Sequence, residues 1–486
     1  MSELIVVSLE VSTTTAKCIL FSVKDGVIAE AYRRYPPEVA DGPSQDPHGV
    51  VSCALDVLSQ MVQVADEKGL RIEAVGLTGI WHSLLLLDGE REPVGRIKTW
   101  VDLAGAEHAL AIRRDEELVH SVYHSTGCMV HAVYPAWKWH YLRHSQPQLA
   151  GKTRYLSSQM EFVFKSLTGH AAVSRSIASG TGFFNIHNLE WDENVLDMMG
   201  LSTNQLGQLV EAFHTAPLKS DIAQLVGLPS GIPVTVGCAD GAMNQLAIGG
   251  LDTKAMSMSV GTSGALRAVH LEPKIPDKPS TWCYYLLEGR RLAGAAVNNG
   301  TNCVDWFLTR HGGQLNGDTY DRYSNAIQGV DTARAPIFMP FLYGERCPGW
   351  MEHRTGGFVD VKASHGEYDL YYSVLEGILF NMRQCYDILV EVGGRPQEVL
   401  VSGGIVNSVP WMQMAADILQ REVMVTGSTN DSTVGGALVA LEAVGGCEQI
   451  KGYAPSIARR FQPQIDAAGL YGPRYQRYLE LYKLLK

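Results

Sequence analysis

Paired cysteines, basic clusters and long apolar runs are all missing from this chain of 486 residues. Its nine cysteines are scattered, odd in number and contain no Cys-x-x-Cys pair, which argues against a disulfide framework or a structural zinc site and favours a reducing cytoplasm. The net charge is −11 and no run is rich in lysine and arginine, so no nucleic-acid partner is predicted. No apolar run reaches the about 18 residues that a membrane span needs, and the N-terminus lacks a signal peptide's basic region. We therefore expect a cytoplasmic protein without a membrane partner.

The chain also lacks the signatures of several enzyme classes. It has no His-Glu-x-x-His motif and no Gly-x-Ser-x-Gly turn in the context of a triad, which are the usual patterns of metalloproteases and α/β hydrolases. Residues 151–153 read GKT, like the end of a P-loop, but Gln146 stands where that loop requires a glycine. We predict an ordinary loop at residues 151–153.

The most informative positive feature is a turn pattern that occurs once in each half of the chain. Residues 7–16 read VSLEVSTTTA, residues 256–265 read MSMSVGTSGA, and the two align without gaps. An apolar alternating run, a cluster of small hydroxyl residues and a second apolar run are typical of a β-hairpin with a tight polar tip. Such a tip offers backbone N–H groups that can approach a phosphate closely. Two ordinary hairpins are the alternative interpretation.

The repeat and the length of the chain both indicate two domains. Strands predicted at 4–9 and 16–23, followed by a helix at about 49–68, make the first half an α/β domain with a mixed sheet. The second half repeats the hairpin and the strand-helix alternation. We therefore divide the chain into residues 1–243 and 244–486.

Asp240 is the sharpest single candidate for catalysis. It follows an apolar strand predicted at 232–236 and lies between small residues at the junction of the two halves. A carboxylate in this position would face an interdomain crevice, where it could accept the hydroxyl proton during phosphoryl transfer. An aspartate that only caps the following helix is the alternative. The two phosphate-type tips favour the catalytic interpretation.

A glycine pair in the second half is a candidate ligand-binding turn. Residues 403–413 read GGIVNSVPWMQ and follow a buried strand predicted at 398–402, with a helix predicted at about 410–420. Glycines there let the backbone approach a planar ring or a phosphate, and a helix N-terminus favours negative charge. A tight turn from strand to helix without a ligand is equally compatible with this pattern.

Taken in order, these motifs resemble those of the FGGY carbohydrate kinases, within the sugar kinase and actin-like ATPase superfamily, over nearly the whole chain. Residues 9–17 resemble the family's first phosphate loop, normally Asp-x-Gly-Thr-Thr/Ser, and residues 261–264 resemble the second. Residues 403–413 are similar to the adenosine-binding motif, and GCADG at 237–241 matches the segment of the catalytic base. The resemblance implies two ribonuclease-H-like α/β domains that flank a deep cleft.

Within the family, further stretches are most similar to gluconate kinases. These stretches are residues 81–83, 99–102, 179–185, 261–265, 297–300 and 343–348. They imply phosphorylation of a small sugar or aldonate at a terminal hydroxyl, with ATP and Mg²⁺ as cofactors. The substrate they favour is D-gluconate, with 6-phosphogluconate as the product. The resemblance implies a small-molecule substrate and is compatible with a homodimer.

The resemblance also assigns roles to individual residues, with Asp240 as the base and Glu10 as the residue that organises magnesium. Residues implied to hold the phosphates are Thr13, Thr14, Thr262 and Ser263, and those implied to line the adenosine site are Gly403, Gly404 and Asn407. Residues implied to contact substrate hydroxyls are His82, Trp100 and Asp102. An anionic acceptor needs a cationic or donor-rich partner, for which Lys17, His131 and Lys138 are the candidates.

Four positions depart from the family pattern. The aspartate and the glycine of the first phosphate loop are Glu10 and Ser12 here, which lengthens the acidic side chain and adds one where backbone approach matters. The arginine that usually follows the Trp100 motif is Ala104, which removes a forked donor. A family glycine near residue 360 is Asp360. These departures keep two alternatives open: a kinase for another sugar such as xylulose, and a degenerate kinase that only binds nucleotide or sugar.

Overall fold

The structure is a computed structural model that describes residues 3–249, 251–427, 431–445, 453 and 455–485. Two seven-stranded mixed sheets, one from each half of the sequence, dominate the architecture. Buried apolar side chains of both sheets and of their flanking helices form one continuous core. Among the described residues, no helix is both long and apolar enough to cross a lipid bilayer.

The first sheet has the strand order β11-β12-β5-β1-β2-β3, and β13 also pairs with β5. Its strands are β1 (Ile5–Val11), β2 (Thr15–Ser22), β3 (Gly26–Arg34), β5 (Ile72–Gly79), β11 (Thr215–Pro217), β12 (Pro233–Thr235) and β13 (Cys238–Ala239). Three small sheets accompany it and consist of β4 (Ser44–Gln45) with β7 (Ile97–Lys98), β6 (Leu85–Leu87) with β8 (Tyr155–Ser157), and β9 (Ala172–Ser174) with β10 (Gln208–Val210).

The second sheet has the order β16-β17-β15-β14-β20-β21-β22. Its strands are β14 (Ala255–Val260), β15 (Gly264–His270), β16 (Trp282–Tyr285), β17 (Arg291–Val297), β20 (Glu398–Ser402), β21 (Val423–Thr426) and β22 (Ile457–Phe461). A separate small sheet consists of β18 (Ile337–Met339) and β19 (Gly357–Val359).

Ten helices are described in the first half: α1 (Pro47–Glu67), α2 (Ala106–Ile112), α3 (Glu116–Thr126), α4 (Pro135–Ser145), α5 (Pro147–Lys152), α6 (Gln159–Thr168), α7 (Arg175–Ser179), α8 (Glu193–Met198), α9 (Ser220–Val226) and α10 (Asp240–Gly249). Six are described in the second half: α11 (Thr301–His311), α12 (Gly317–Ala326), α13 (Glu367–Gly393), α14 (Val409–Leu419), α15 (Asp431–Ala443) and α16 (Ala467–Leu484).

The two sheets share the same five-strand centre, which confirms the predicted fold class. In the first sheet, β1 pairs antiparallel with β2 and parallel with β5, while β3 and β12 extend the two sides. In the second sheet, β14 stands in the same relation to β15 and β20, while β17 and β21 extend the sides. Both predicted hairpins are therefore confirmed, and each tip leaves its sheet next to the carboxyl end of a parallel strand. One prediction was wrong: residues 151 and 152 end helix α5 instead of lying in a loop, because Pro147 starts a short helix there.

Helix α15 joins the two halves, although it comes late in the sequence. It packs against α10 and against β1 and β5 of the first sheet. A Cβ atom on Gly435 would lie 2.2 Å from the carbonyl oxygen of Met243, so only glycine permits this approach of α15 to α10. The predicted domain boundary between residues 243 and 244 falls within α10 and stays a prediction.

We predict that Gly435→Ala lowers the free energy of unfolding by about 2 kcal/mol or more, because the new methyl group would overlap a backbone oxygen that cannot move freely. Gly469→Ala, in α16, is the matched control, since a Cβ atom there would have no neighbour within 4 Å. That control should be neutral or raise stability by up to about 1 kcal/mol. Urea unfolding followed by circular dichroism measures both. Equal effects of the two substitutions would contradict the close contact.

Candidate active site

Two adjoining cavities lie between the sheets. The larger, of about 570 Å³, is lined by the second hairpin tip, the carboxyl ends of β20 and β21, and Lys17 from the first sheet. The smaller, of about 210 Å³, is lined by Asp240 and by aromatic and basic side chains. Ser259 and Ser263 line both cavities, so the two spaces meet at the second hairpin tip. A ligand in one cavity can therefore reach a ligand in the other.

The second hairpin tip and the glycine pair lie side by side because β14 and β20 are parallel neighbours. Ser259 pairs in register with Ser402, which places residue 403 beside Val260. Gly403 has a φ of +87°, and a Cβ atom on it would lie 2.6 Å from the Val260 carbonyl oxygen. Only glycine therefore fits here. The sequence repeat and the glycine motif thus form one wall of the larger cavity.

The first hairpin tip is held by its own serine. The Ser12 hydroxyl accepts hydrogen bonds from the backbone N–H groups of Thr14 at 3.3 Å and Thr15 at 3.1 Å. The Trp100 indole donates to the Thr13 hydroxyl at 2.9 Å, which ties this tip to the smaller cavity. The hydroxyl of Ser12 therefore occupies two of the amide groups of this tip.

A third cavity, of about 420 Å³, continues from the larger one beyond the glycine pair. Gly404 and Asn407 line it together with the aromatic rings of Tyr320, Tyr371 and Trp411. Asn407 also lines the larger cavity, so the two spaces share a wall. A slot with aromatic and polar side chains beside a polar, small-residue cavity fits a nucleoside attached to a phosphate chain.

Asp240 lies where β13 ends and α10 begins. Its Oδ1 accepts a hydrogen bond of 2.6 Å from the backbone N–H of Gly241, so the carboxylate also caps the helix. Burial raises the pKa of Asp240, and the Gly241 N–H and the guanidinium of Arg267 offset part of this increase. The side chain thus lies at the start of α10 and lines the smaller cavity, and its role as the catalytic base stays a prediction.

Glu10 lies at the end of β1, near Asp240. Burial and the charge of Asp240 raise the pKa of Glu10 to about 7, although a hydrogen bond of 3.0 Å from the Ser432 hydroxyl and the charge of Lys17 lower it. Two neighbouring carboxyl groups, one of which disfavours the charge of the other, beside a cavity of hydroxyl and amide groups, are a donor set that suits a divalent cation with oxygen ligands. The residues present therefore fit magnesium.

The smaller cavity has a neutral histidine on its wall. Burial, and then the charge of Arg346, lower the pKa of His82 to about 3. His82 Nδ1 lies 2.6 Å from the carbonyl oxygen of Gly180, and because a carbonyl only accepts, this nitrogen carries the proton. Nε2 is then an acceptor, suited to a substrate hydroxyl. His82 and Trp100, both predicted for the substrate, line the cavity together with Asp240.

Three other predicted polar residues have different surroundings. Asp102 is held by the Lys98 ammonium at 3.0 Å and the Ala104 N–H at 3.0 Å. Lys138 is buried and donates to the carbonyl oxygens of Asp102 and Ala132. Lys17, predicted for the substrate, lines the larger cavity instead of the smaller one. Asp102 and Lys138 thus stabilise the loop that carries Trp100 through these hydrogen bonds.

Arg267 and Arg346 are two candidate site residues that the sequence analysis did not identify. Both line the smaller cavity, and the Nε atom of each is buried without a hydrogen-bond partner in the described part of the chain. Burial, which disfavours the charged form, lowers the pKa of Arg267 to about 10, although Asp240 raises it. For Arg267, the signal in the sequence was an arginine inside the largely apolar run 266–270. For Arg346, it was an arginine within the stretch 343–348, to which no individual role had been assigned.

Nine of the thirteen predicted site residues line the three adjoining cavities, and four, Glu10, Thr13, Thr14 and Asp102, do not. The larger cavity gathers Lys17, Thr262, Ser263, Gly403 and Asn407, the smaller gathers His82, Trp100, Asp240 and Ser263, and the nucleoside slot gathers Gly404 and Asn407. Thr13 contacts the site through Trp100, and Glu10 contacts it through Ser432. Thr14 is exposed at the first tip.

Sequence comparison agrees with this geometry. The N-terminal domain model of the FGGY family of carbohydrate kinases matches residues 5–247, and its C-terminal domain model matches residues 256–444. This chain belongs to the FGGY carbohydrate kinases. It is therefore a sugar kinase, an enzyme that acts on a small molecule, and kinases of this family use ATP as the phosphate donor.

Several proteins resemble this FGGY kinase along their whole length. A gluconokinase of Bacillus subtilis is 27% identical, with 98% of this chain and 95% of that protein covered. A xylulose kinase of the same organism is 24% identical, with 99% and 96% covered. The crystal structure of a gluconate kinase from Lactobacillus acidophilus superposes with a TM-score of 0.93 at 23% identity, over 99% of this chain and 98% of that one. The two-domain FGGY kinase fold is thereby established.

Asp360 shows how this chain accommodates one departure from the family pattern. It adopts a φ of +64°, a left-handed conformation that favours glycine. Its carboxylate pairs with Arg477, on α16, at 3.1 Å. The aspartate thus stands in a glycine-like conformation and has an ionic partner, away from the cavities described above.

We predict that Asp240→Asn lowers kcat by about 10²- to 10⁴-fold, because the amide cannot accept the substrate proton. ATP affinity should stay within about twofold, because the amide oxygen still caps α10. A coupled assay of ADP release measures turnover, and titration calorimetry measures ATP binding. Asp252→Asn, at an exposed aspartate, is the control. Undiminished turnover in Asp240→Asn would rule out its role as the base.

We predict that Ser12→Ala lowers the KM for ATP about three- to tenfold, because the Thr14 and Thr15 amides become available to a phosphate oxygen. Ser22→Ala is the control, since the Ser22 hydroxyl accepts the Asp25 N–H in a similar turn at the other end of β2. Initial rates over a series of ATP concentrations measure the effect. A higher KM in Ser12→Ala would mean that the serine positions the loop for ATP.

Proposed function

We propose that this kinase phosphorylates a sugar acid, in the first instance D-gluconate at its terminal hydroxyl, with ATP and Mg²⁺, and that 6-phosphogluconate is the product. The supporting observation is the charge of the smaller cavity. Arg267 and Arg346 contribute two positive charges, whereas Asp240 is the single carboxylate among the described residues that line it. With His82 neutral, the cavity carries one excess positive charge and suits a substrate with one negative charge.

The two arginines also have the right hydrogen-bonding capacity. Their buried Nε atoms lack partners in the described chain, and an unsatisfied buried donor of a charged group is costly. A carboxylate accepts two parallel hydrogen bonds from one guanidinium, which a neutral sugar hydroxyl cannot do. An aldonate would therefore satisfy groups that a ketose would leave unpaired.

The proposed reaction follows from the arrangement of the cavities. The terminal hydroxyl oxygen of the substrate forms a bond to the γ-phosphorus of ATP, and the bond from that phosphorus to the β,γ-bridging oxygen breaks to release ADP. The hydroxyl proton passes to the carboxylate of Asp240. Ser263 and Thr262 at the second tip hold phosphate oxygens where the two cavities meet, and Trp100 and His82 orient the sugar.

Glu10, with Asp240 nearby, would hold Mg²⁺ together with the phosphates. The ion, when bound, supplies positive charge to the phosphate oxygens. Glu10 is one methylene longer than the family's aspartate, and its hydrogen bond to Ser432 fixes it to α15. This contact gives the longer side chain a defined place beside the larger cavity.

The comparisons support the proposal. Gluconokinases of Bacillus subtilis and Bacillus licheniformis are each 27% identical to this chain, while the xylulose kinase of Bacillus subtilis is 24% identical. Xylulose kinase activity is therefore the second candidate. Assay of ADP release with D-gluconate, other aldonates and D-xylulose, followed by mass measurement of the product, tests the two. A preference for xylulose contradicts the proposal, and ATP binding without any phosphorylated product would favour the degenerate kinase.

We predict that Arg267→Gln and Arg346→Gln each lower kcat/KM for D-gluconate about 10²-fold relative to kcat/KM for D-xylulose, because an arginine-carboxylate pair is lost. The ratio separates recognition of the carboxylate from an effect on Asp240, which would lower both values equally. Arg291→Gln is the control, because Arg291 is buried on the adjacent strand β17 and donates to backbone carbonyls outside the cavity. An unchanged ratio in both cavity variants would contradict the proposal.

A further inference from the structure

Three histidines outside the cleft lie in mutual contact. His140 and His144 are one turn apart on α4, and His108 lies on α2. Their ring centroids are separated by 4.9 Å for His108 and His140, 5.4 Å for His108 and His144, and 4.7 Å for His140 and His144. One ring nitrogen from each lies within 4.8 Å of the others. Two adjacent helices thus direct three imidazoles to one point.

The protonation of these rings suits metal binding. His144 Nδ1 lies 2.7 Å from the carbonyl oxygen of His140, so Nδ1 carries the proton and Nε2 has a free lone pair. A backbone carbonyl that fixes the tautomer in this way is the usual partner of a metal-binding histidine.

We propose that His108, His140 and His144 form a binding site for one divalent transition-metal ion of the zinc class, which ties α2 to α4. Three imidazole nitrogens and a water molecule make a common tetrahedral zinc environment. Nitrogen donors without a carboxylate disfavour Mg²⁺ and Ca²⁺, which prefer oxygen. The site is therefore chemically distinct from the magnesium site at Glu10, and it does not rest on the proposed function.

Binding requires only a small movement. His108 Nε2 and His140 Nδ1 are 2.6 Å apart and share a hydrogen bond, whereas ligands of a tetrahedral zinc ion lie about 3.3 Å apart. A rotation of one ring opens this distance, and the proton shared by the two nitrogens moves to the other nitrogen of its own ring, so that both nitrogens can bind the ion. His144 is exposed enough for the ion to enter from solvent. The positive charge of Arg143 acts on His140 and would repel the ion. The guanidinium of Arg143, however, donates a hydrogen bond to the Met199 carbonyl oxygen.

Helix α2 gives this site a structural consequence. Its Glu107 lies 2.8 Å from His353, and Arg113, which follows its last turn, lies 2.9 Å from Glu352. Both partners belong to the second half of the chain, so α2 contacts the opposite side of the cleft. An ion that holds α2 against α4 would restrict the helix that carries these contacts.

The test uses tag-free, chelator-treated full-length protein, titrated with Zn²⁺ by calorimetry and with Co²⁺ by visible absorption. We expect one equivalent to bind with the intense bands of tetrahedral cobalt. His144→Ala and His108→Ala should weaken binding about 30-fold or more, because each removes one of three protein ligands. His170→Ala, at an exposed histidine elsewhere, should leave binding unchanged. Hydrogen exchange of residues 106–113 should slow when Zn²⁺ is added.

Three outcomes would overturn the proposal. The first is absence of stoichiometric binding by the wild-type chain. The second is undiminished binding by both His144→Ala and His108→Ala. The third is loss of binding in His120→Ala instead, which would assign the ion to the more exposed group of His120, His124 and Asp277. Because His144 is exposed, its substitution does not threaten the fold, and circular dichroism of each variant verifies this.

Discussion

The contact between α10 and α15 is the constraint on which the cleft depends. Helix α10 begins at the catalytic candidate Asp240, and α15 carries Ser432, whose hydroxyl holds Glu10. The backbone of Gly435 approaches Met243 so closely that a side chain would not fit. Glu10 and Asp240 lie close together because β1 and β13 both pair with β5, with Glu10 and Cys238 each in register with Thr78. A helix late in the sequence thus completes the site of the first sheet.

Buried charge gives the cleft its chemistry. Asp240, Glu10, Arg267 and His82 all have pKa values moved by burial, and each is compensated only in part by its neighbours. Such groups persist where a ligand completes the compensation, which is why shifted pKa values mark functional sites. The Mg²⁺ ion and the sugar acid proposed above would each supply the opposite charge, the ion beside the two carboxylates and the acid beside the two arginines.

The walls of the cleft also contact each other directly. Glu352 lies 2.9 Å from Arg113 and 2.8 Å from His131, so one carboxylate of the second half joins two cationic or donor groups of the first. Burial lowers the pKa of His131 to about 4, and Glu352 offsets part of the change. His131, a sequence candidate for binding the substrate, thus has a partner across the cleft instead.

Local patterns in the sequence determined the strands and the two hairpins with their polar tips. The predicted strand 398–402 coincides with β20, and the helices predicted at about 49–68 and 410–420 correspond to α1 and α14, because periodic apolar runs and turn residues act over short distances. Asp240, Gly403 and Ser263 were recognisable for the same reason. Only the tertiary structure decided the surroundings of Arg267 and Arg346, the partner of Glu10 and the grouping of His108 with His140. These depend on contacts between residues far apart in the chain, and burial, which sets their charge, is a property of the assembled fold.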